Sequence, residues 1–179
     1  MSDRPLLLLD VDGPLNPFGA RFVRHRGYVT HRMLPDCRSP LPHASRRRAA
    51  REARVRLHPG HGARLLALPY QLTWATAWCR QANELVAPAI GLPGDLPVVE
   101  WPSARCGRSA DGVHWKTRTL LEWAAGRPFA WVDDELTGRD ADHVATHHPG
   151  SALLLRIDPR KGLRERDFGR LEHWARTLG

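Results

Sequence analysis

The chain's pattern predicts an α/β fold, a doubly wound, Rossmann-like parallel sheet of about five strands. Three observations carry that expectation. Leu6-Leu7-Leu8-Leu9 is a short unbroken apolar run, the pattern of a strand covered by helices on both faces. Further short β-branched or aromatic runs then alternate with stretches of helical period. Two of the runs end abruptly in carboxylates, Asp10-Val11-Asp12-Gly13 and Asp133-Asp134, and open α/β sheets carry their chemistry just beyond the carboxyl ends of the strands.

Taken in order, residues 6–9 form the first strand and Pro14 to Pro17 a turn. Residues 21–30 alternate loosely, as for a small hairpin or flap. Pro35, Pro40 and Pro42 break the chain into loop. Residues 46–57 read as an arginine-rich arm or an exposed helix with a poor apolar face. The breaker His58-Pro59-Gly60-His61-Gly62 precedes a helix that turns Leu65, Leu66 and Leu68 inward. Residues 70–76 make a second strand, and 77–90 a helix with Leu85, Val86 and Ile90 apolar and Gly91 as its stop. A short third strand at 97–101 leads through a polar loop to a helix at about 115–125. Residues 129–134 form the fourth strand and 151–157 the fifth. A closing helix at about 164–178 aligns Phe168, Leu171, Trp174 and Leu178 on one face. The expected organisation is one domain over 1–179 with a basic insert at about 18–58.

Composition narrows the function classes. A hydrophobic share of 42% with seven tryptophans argues for a globular chain against a disordered one. No apolar run approaches the ~20 residues of a membrane helix, and Leu6 to Leu9 is too short for a signal-peptide core. Cys37, Cys79 and Cys106 are an odd count without CxxC spacing, as expected of reduced thiols in a cytoplasmic protein. Cys37, His43, His58 and His61 match no standard zinc-ligand spacing. His147 and His148, before Pro149-Gly150, read as loop residues.

The charge is localised. Arg21 to Arg64 hold twelve arginines and no lysine, against only Asp36 and Glu52, within a net charge of +8. Attraction of a polyanion such as nucleic acid explains the clustering, with Arg46, Arg47 and Arg48 as contacts. A general preference for arginine, in a chain with two lysines, explains the residue type but not its position.

Residues 6–13 resemble motif I of the haloacid dehalogenase-like superfamily, an apolar strand followed by Asp-x-Asp-Gly. Three further parts stand in the order that this resemblance demands: Thr76 ending the second strand, Lys116 opening the helix before the fourth, and Asp133 and Asp134 ending the fourth. Thr73 rivals Thr76, which could alternatively cap the next helix. Lys116 could be an exposed helix residue, and Asp134 an ordinary turn acid.

The resemblance implies an Mg²⁺-dependent phosphatase. Asp10 would be the nucleophile and Asp12 the general acid and base. Asp10, the Asp12 carbonyl and Asp133 would hold Mg²⁺, with Asp134 as an additional ligand. Thr76, the Ala77 amide and Lys116 would bind the phosphoryl group. Members that cleave carbon–halogen bonds lack the acid at the position of Asp12, so its presence favours phosphoryl transfer. Pro14 departs from the usual Thr or Val, at a position whose side chain is not catalytic.

Neither gap between motifs suggests a large cap, so the site is expected to be capless or minimally capped. Such domains resemble those of RNA-repair proteins. Three functions therefore stand: a phosphatase of small phosphomonoesters, a polynucleotide-end phosphatase, or a catalytically weak binding protein. Tryptophans 74, 78, 123, 131 and 174 are expected in the core, with Trp78 near enough to the site to stack on a base.

Overall fold

A computed structural model describes residues 4–18, 26–34, 53–101 and 108–179. Arg46, Arg47, Arg48, Cys37, Cys106, His43 and the first part of the expected flap lie outside these residues.

The described chain is α/β, with four parallel strands in one sheet and a separate two-stranded antiparallel ribbon. Strand β1 (Leu6–Leu9) lies inside the sheet, between β4 (Gln71–Trp74) and β5 (Phe129–Asp133), and β6 (Ala152–Arg156) follows β5. Leu6, Leu7, Leu8 and Leu9 pair in parallel with residues 71–74 on one side and 129–132 on the other. All four leucines are buried. Their alternation divides the core, as successive strand side chains point to opposite faces.

Leu7 and Leu9 join Leu65 of α1 (His61–Leu66), Ile90 of α2 (Ala87–Ile90), and Phe168 and Leu171 of α5 (Glu165–Arg176). Leu6 and Leu8 join Leu120 of α3 (Thr117–Ala124) and Val144 of α4 (Gly138–His147). Burying each leucine is worth roughly 1.5–3 kcal/mol, so β1 anchors both layers at once.

Several expectations need correction. The third strand shrinks to a single parallel bridge, Trp74 to Val98, so the regular sheet has four strands where about five were expected. Beyond that bridge the Trp101 indole donates to the Thr76 carbonyl at 2.9 Å. Residues 53–57 are not helical but form β3 (Ala53–Leu57), antiparallel to β2 (Val29–Met33). The sequence Ala-Arg-Val-Arg-Leu has period two: Val55 and Leu57 are buried while Arg54 and Arg56 are exposed.

Helix α4, between the fourth and fifth expected strands, went unpredicted, and His147 belongs to it. Its start is marked by Thr137 and Asp140, whose side chain and backbone groups cap one another reciprocally. Leu66 points outward, unlike Leu65 and Leu68, and Trp123 is exposed.

The helix expected over 77–90 begins as turn, continues as a π-helical segment (Ala82–Val86) and ends as α2. Pro88 has no amide to return to the preceding turn, which accounts for the change of pitch there. Gly91, at φ 80°, stops it as expected. Among the described residues no helix is long and apolar enough to cross a membrane.

Candidate active site

Strands β1 and β5 stop at the same level, so their terminal acids meet. The Asp10 amide donates to the Val132 carbonyl at 3.0 Å, continuing the β1–β5 register one residue past the strand. Asp10 accepts the Val11 amide on Oδ1 at 2.7 Å. Its Oδ2 accepts from Lys116 Nζ at 2.8 Å, and the same ammonium donates to Asp133 Oδ2 at 2.8 Å. Lys116 is therefore no exposed helix residue: only 3% of it is exposed, at the residue that caps α3.

Asp133 also accepts the Glu135 amide at 2.9 Å and the Trp131 indole at 3.3 Å. Asp134 completes an acidic group with Asp10 and Asp133, whose ligand oxygens lie within 4.8 Å of one another. Gly13 makes room for it. A Cβ there would fall 2.5 Å from Asp134 Cγ, and its φ of +88° suits glycine as well.

The carboxylate of Asp12 is directed elsewhere. Its Oδ1 accepts from Asn16 Nδ2 at 2.8 Å and its Oδ2 from the Trp78 indole at 3.0 Å. Asp12 thus shares the turn with the acidic group but its side chain is not part of it. Thr76 is fully buried just past the end of β4, and its Oγ1 accepts the Trp78 amide at 3.3 Å. This contact closes the turn after β4 and caps no helix, and a hydroxyl that accepts still has its own proton to donate. Ala77 is buried in the turn that follows. The rival Thr73 lies inside β4 opposite Leu8, buried in the sheet and away from its end.

Electrostatics separate the acids. Burial pushes Asp10 up to about 7 against the pull of Lys116, with Asp133 and Asp12 adding to the rise. Burial raises Asp12 as well, opposed by its bonds from Asn16 and Trp78. Asp134 is pushed up to about 8 by burial and then by the charges of Asp133 and Asp10. Burial also opposes ionisation of Asp133, but Lys116 and the Glu135 amide outweigh it and hold the carboxyl below its ordinary value. Lys116 loses hydration, yet its two carboxylates raise it further and keep it charged.

The donor set fits a small hard divalent cation. Two of the three carboxylates share the Lys116 ammonium and Asp134 stands beside them, so full ionisation of the group leaves an excess of two negative charges. Oxygen ligands of this kind suit Mg²⁺.

Sequence reasoning missed the residues that hold Lys116 in place. Asp140 is fully buried and accepts the His114 amide at 2.7 Å, Thr117 Oγ1 at 3.1 Å and Arg108 at 3.1 Å. It also accepts the amide and hydroxyl of Thr137, at 2.9 and 2.8 Å. One carboxylate therefore fastens the start of α4 to the start of α3. His114 accepts the Lys116 amide on Nδ1 at 3.3 Å, which leaves its Nε2 proton facing Glu135 at 2.8 Å. Thr137 and Asp140, at capping spacing, were the legible signal. Asn16 and Trp78 stood beside predicted residues, but only folding reveals that both bind Asp12.

Neither the sequence nor the fold adds an outside reference: no family model, curated protein or solved structure matches the chain.

Proposed function

We propose that this chain is an Mg²⁺-dependent phosphomonoester hydrolase of the haloacid dehalogenase-like kind, capless or minimally capped, working in the cytoplasm. The observation that carries the reading is the shared ammonium of Lys116 between Asp10 and Asp133, with Asp134 beside them.

Asp10 Oδ attacks phosphorus, forming an aspartyl-phosphate as the bond to the leaving oxygen breaks. Asp12, raised by burial, gives its proton to that oxygen. The resulting carboxylate takes a proton from water, which attacks phosphorus and releases phosphate, restoring Asp10. Asn16 and Trp78 hold Asp12 in place through both of its oxygens. Lys116 and the Thr76 hydroxyl, with the Ala77 amide, face the charge on the phosphoryl oxygens. Asp10 and Asp133, joined by the Asp12 carbonyl and Asp134, would hold Mg²⁺, which when bound would supply positive charge against nucleophile and phosphate.

A second reading, action on a polynucleotide end, draws on the ribbon. Arg32 and Arg54 are exposed cross-strand partners, and Arg56 is exposed beside them. Three exposed arginines on one face of the ribbon give a positive surface of the kind that a phosphodiester backbone contacts. The Arg56 amide also donates to Asn16 Oδ1 at 2.9 Å, tying the ribbon to the Asp12 turn.

The test is phosphate release from an aryl phosphate and from 3′- and 5′-phosphorylated oligonucleotides, with and without Mg²⁺, for the wild type and Asp10→Asn. Mg²⁺-dependent release that Asp10→Asn abolishes is expected. Release that survives Asp10→Asn overturns the mechanism. Folded, Mg²⁺-loaded protein without turnover on any of these substrates favours a binding role.

A further inference from the structure

A cavity of about 440 Å³, lined by none of the acids of the candidate site, lies between the ribbon, the start of α1 and the start of α5. The Leu163 amide donates to the Pro14 carbonyl at 2.8 Å, which fixes the α5 approach against the Pro14 turn. The volume is within the usual range of small-molecule sites.

Its lining combines charge with rings. Four cations, Arg26, Arg64, Lys161 and Arg164, face a single acid, Glu165. Arg64 grips Glu165 through both guanidinium nitrogens, one at 2.6 Å, and Lys161 pairs with Asp158 at 2.9 Å. Arg26 and Arg164 have no ion pair among the described residues, and both are exposed. The N-terminus of the twelve-residue α5 opens beside them, so backbone dipoles add to the positive field.

The opposite wall is made of rings. His58 and His61 stack at 4.8 Å and 19°, and Tyr28 stands edge-on to both, at 5.3 and 5.6 Å. His61 is 6% exposed, and its buried Nδ1 has no hydrogen-bond partner among the described residues. Unpartnered buried nitrogens are rare and need a reason. Burial, then the charges of His58 and Arg64, hold His61 down to about 4, so near neutral pH it is an uncharged ring backing the half-buried His58 and Tyr28.

We propose that this cavity binds a nucleoside phosphate, its phosphate on Arg26, Arg164 and the α5 N-terminus and its base against the His58, His61 and Tyr28 wall. Guanidinium forks suit phosphate oxygens, and a planar base matches stacked imidazoles better than a sugar phosphate does. The ligand is either a free nucleotide or one unit of a strand. The site does not depend on hydrolysis at Asp10.

The experiment is calorimetric titration of the full Asp10→Asn chain, without divalent metal, using adenosine 5′-monophosphate, ribose 5-phosphate, inorganic phosphate and a short oligonucleotide. Adenosine monophosphate is expected to bind at least tenfold more tightly than ribose phosphate or inorganic phosphate. Arg26→Gln with Arg164→Gln is expected to weaken it at least tenfold with Tm unchanged. Arg26→Gln alone, at an exposed position before β2, gives a smaller loss in the same direction. An oligonucleotide that binds more tightly than the mononucleotide through the same two arginines identifies a strand as the ligand; equal or weaker binding identifies the free nucleotide. Adenosine monophosphate affinity untouched by both variants, or matched by inorganic phosphate, overturns the proposal.

Discussion

The ends of β1 and β5 look alike in sequence, each an apolar strand running into two acids, but they do different work. Asp10 and Asp133 share one ammonium at equal distance, yet Asp10 is raised to about 7 while Asp133 stays below its ordinary value. The difference lies in what else each carboxylate receives. Asp133 has a backbone amide and an indole in addition to Lys116, whereas Asp10 receives one amide and stands among like charges. The second acids diverge too: Asp134 turns into the acidic group, and Asp12 turns away to Asn16 and Trp78. Identical residue types thus become a fixed anion at one strand end and a carboxyl that titrates near neutral pH at the other.

Removing the shared cation breaks this comparison most severely. Lys116→Met leaves two buried carboxylates facing each other, and losing one partner of a buried ion pair costs about 3–5 kcal/mol. Denaturant unfolding of the metal-free protein reads that loss directly, with phosphatase turnover falling at least a hundredfold. An unchanged unfolding midpoint refutes the role assigned to Lys116.

Asp140→Ala comes next. It strands the donors of His114, Thr117, Thr137 and Arg108, and the expected loss is about 2–4 kcal/mol, since each buried unsatisfied group costs about 1–3 kcal/mol. Mg²⁺ affinity should weaken with it, because Lys116 loses its support, and titration of both variants checks the order.

The pH dependence sharpens the contrast. Asp10 and Asp134 have folded values of about 7 and about 8, above those of the unfolded chain. The folded state therefore binds more protons between about pH 4 and 8, and metal-free stability falls as pH rises through that window. Asp133, shifted the opposite way, gains stability above its unfolded value and loses it in acid. Saturating Mg²⁺ should remove most of the fall, because a cation bound to ionised Asp10 and Asp134 competes with their protons. Thermal melts from pH 5 to 8 with and without Mg²⁺ test this, and parallel curves contradict it.

Trp78→Phe keeps the ring but deletes one of the two donors to Asp12. Asp12 then rises further, and if it is the general acid of the proposed phosphatase, kcat should drop about tenfold with KM little changed, given the 10²–10⁴-fold usual for acid–base groups. The alkaline limb of the pH–rate profile should move up. A change in KM alone points to substrate contact instead.

The smallest effect lies outside the site. His61, depressed to about 4, supports the fold above about pH 6.5 and loses that support as pH falls through its folded value. His61→Phe should flatten the acid limb of the stability curve.

How legible was this in the chain? The four leucines before Asp10, the strand end at Asp133 and Lys116 before β5 could be located because each depends on local pattern: an apolar run, a carboxylate stop, a helix start; β4 stops at Trp74, two residues short of the expected end at Thr76. Their order along the chain predicted an α/β class with a parallel sheet, which the structure has. The ribbon strand at 53–57 was missed because five residues of Arg and apolar alternation were overshadowed by the arginine run before them. Helix α4 was missed because its apolar face is weak and its cap is mostly polar.

Local periodicity and strand-end chemistry were thus the sequence's own contribution: where the acids stand and which face each leucine seeks. Tertiary structure alone decided which acid pairs with Lys116, that Asp12 answers to Asn16 and Trp78, and that Asp140 holds the two helix starts together. Those contacts join residues up to 106 positions apart, and a charge buried between distant segments acquires its proton affinity only when the segments meet and water leaves.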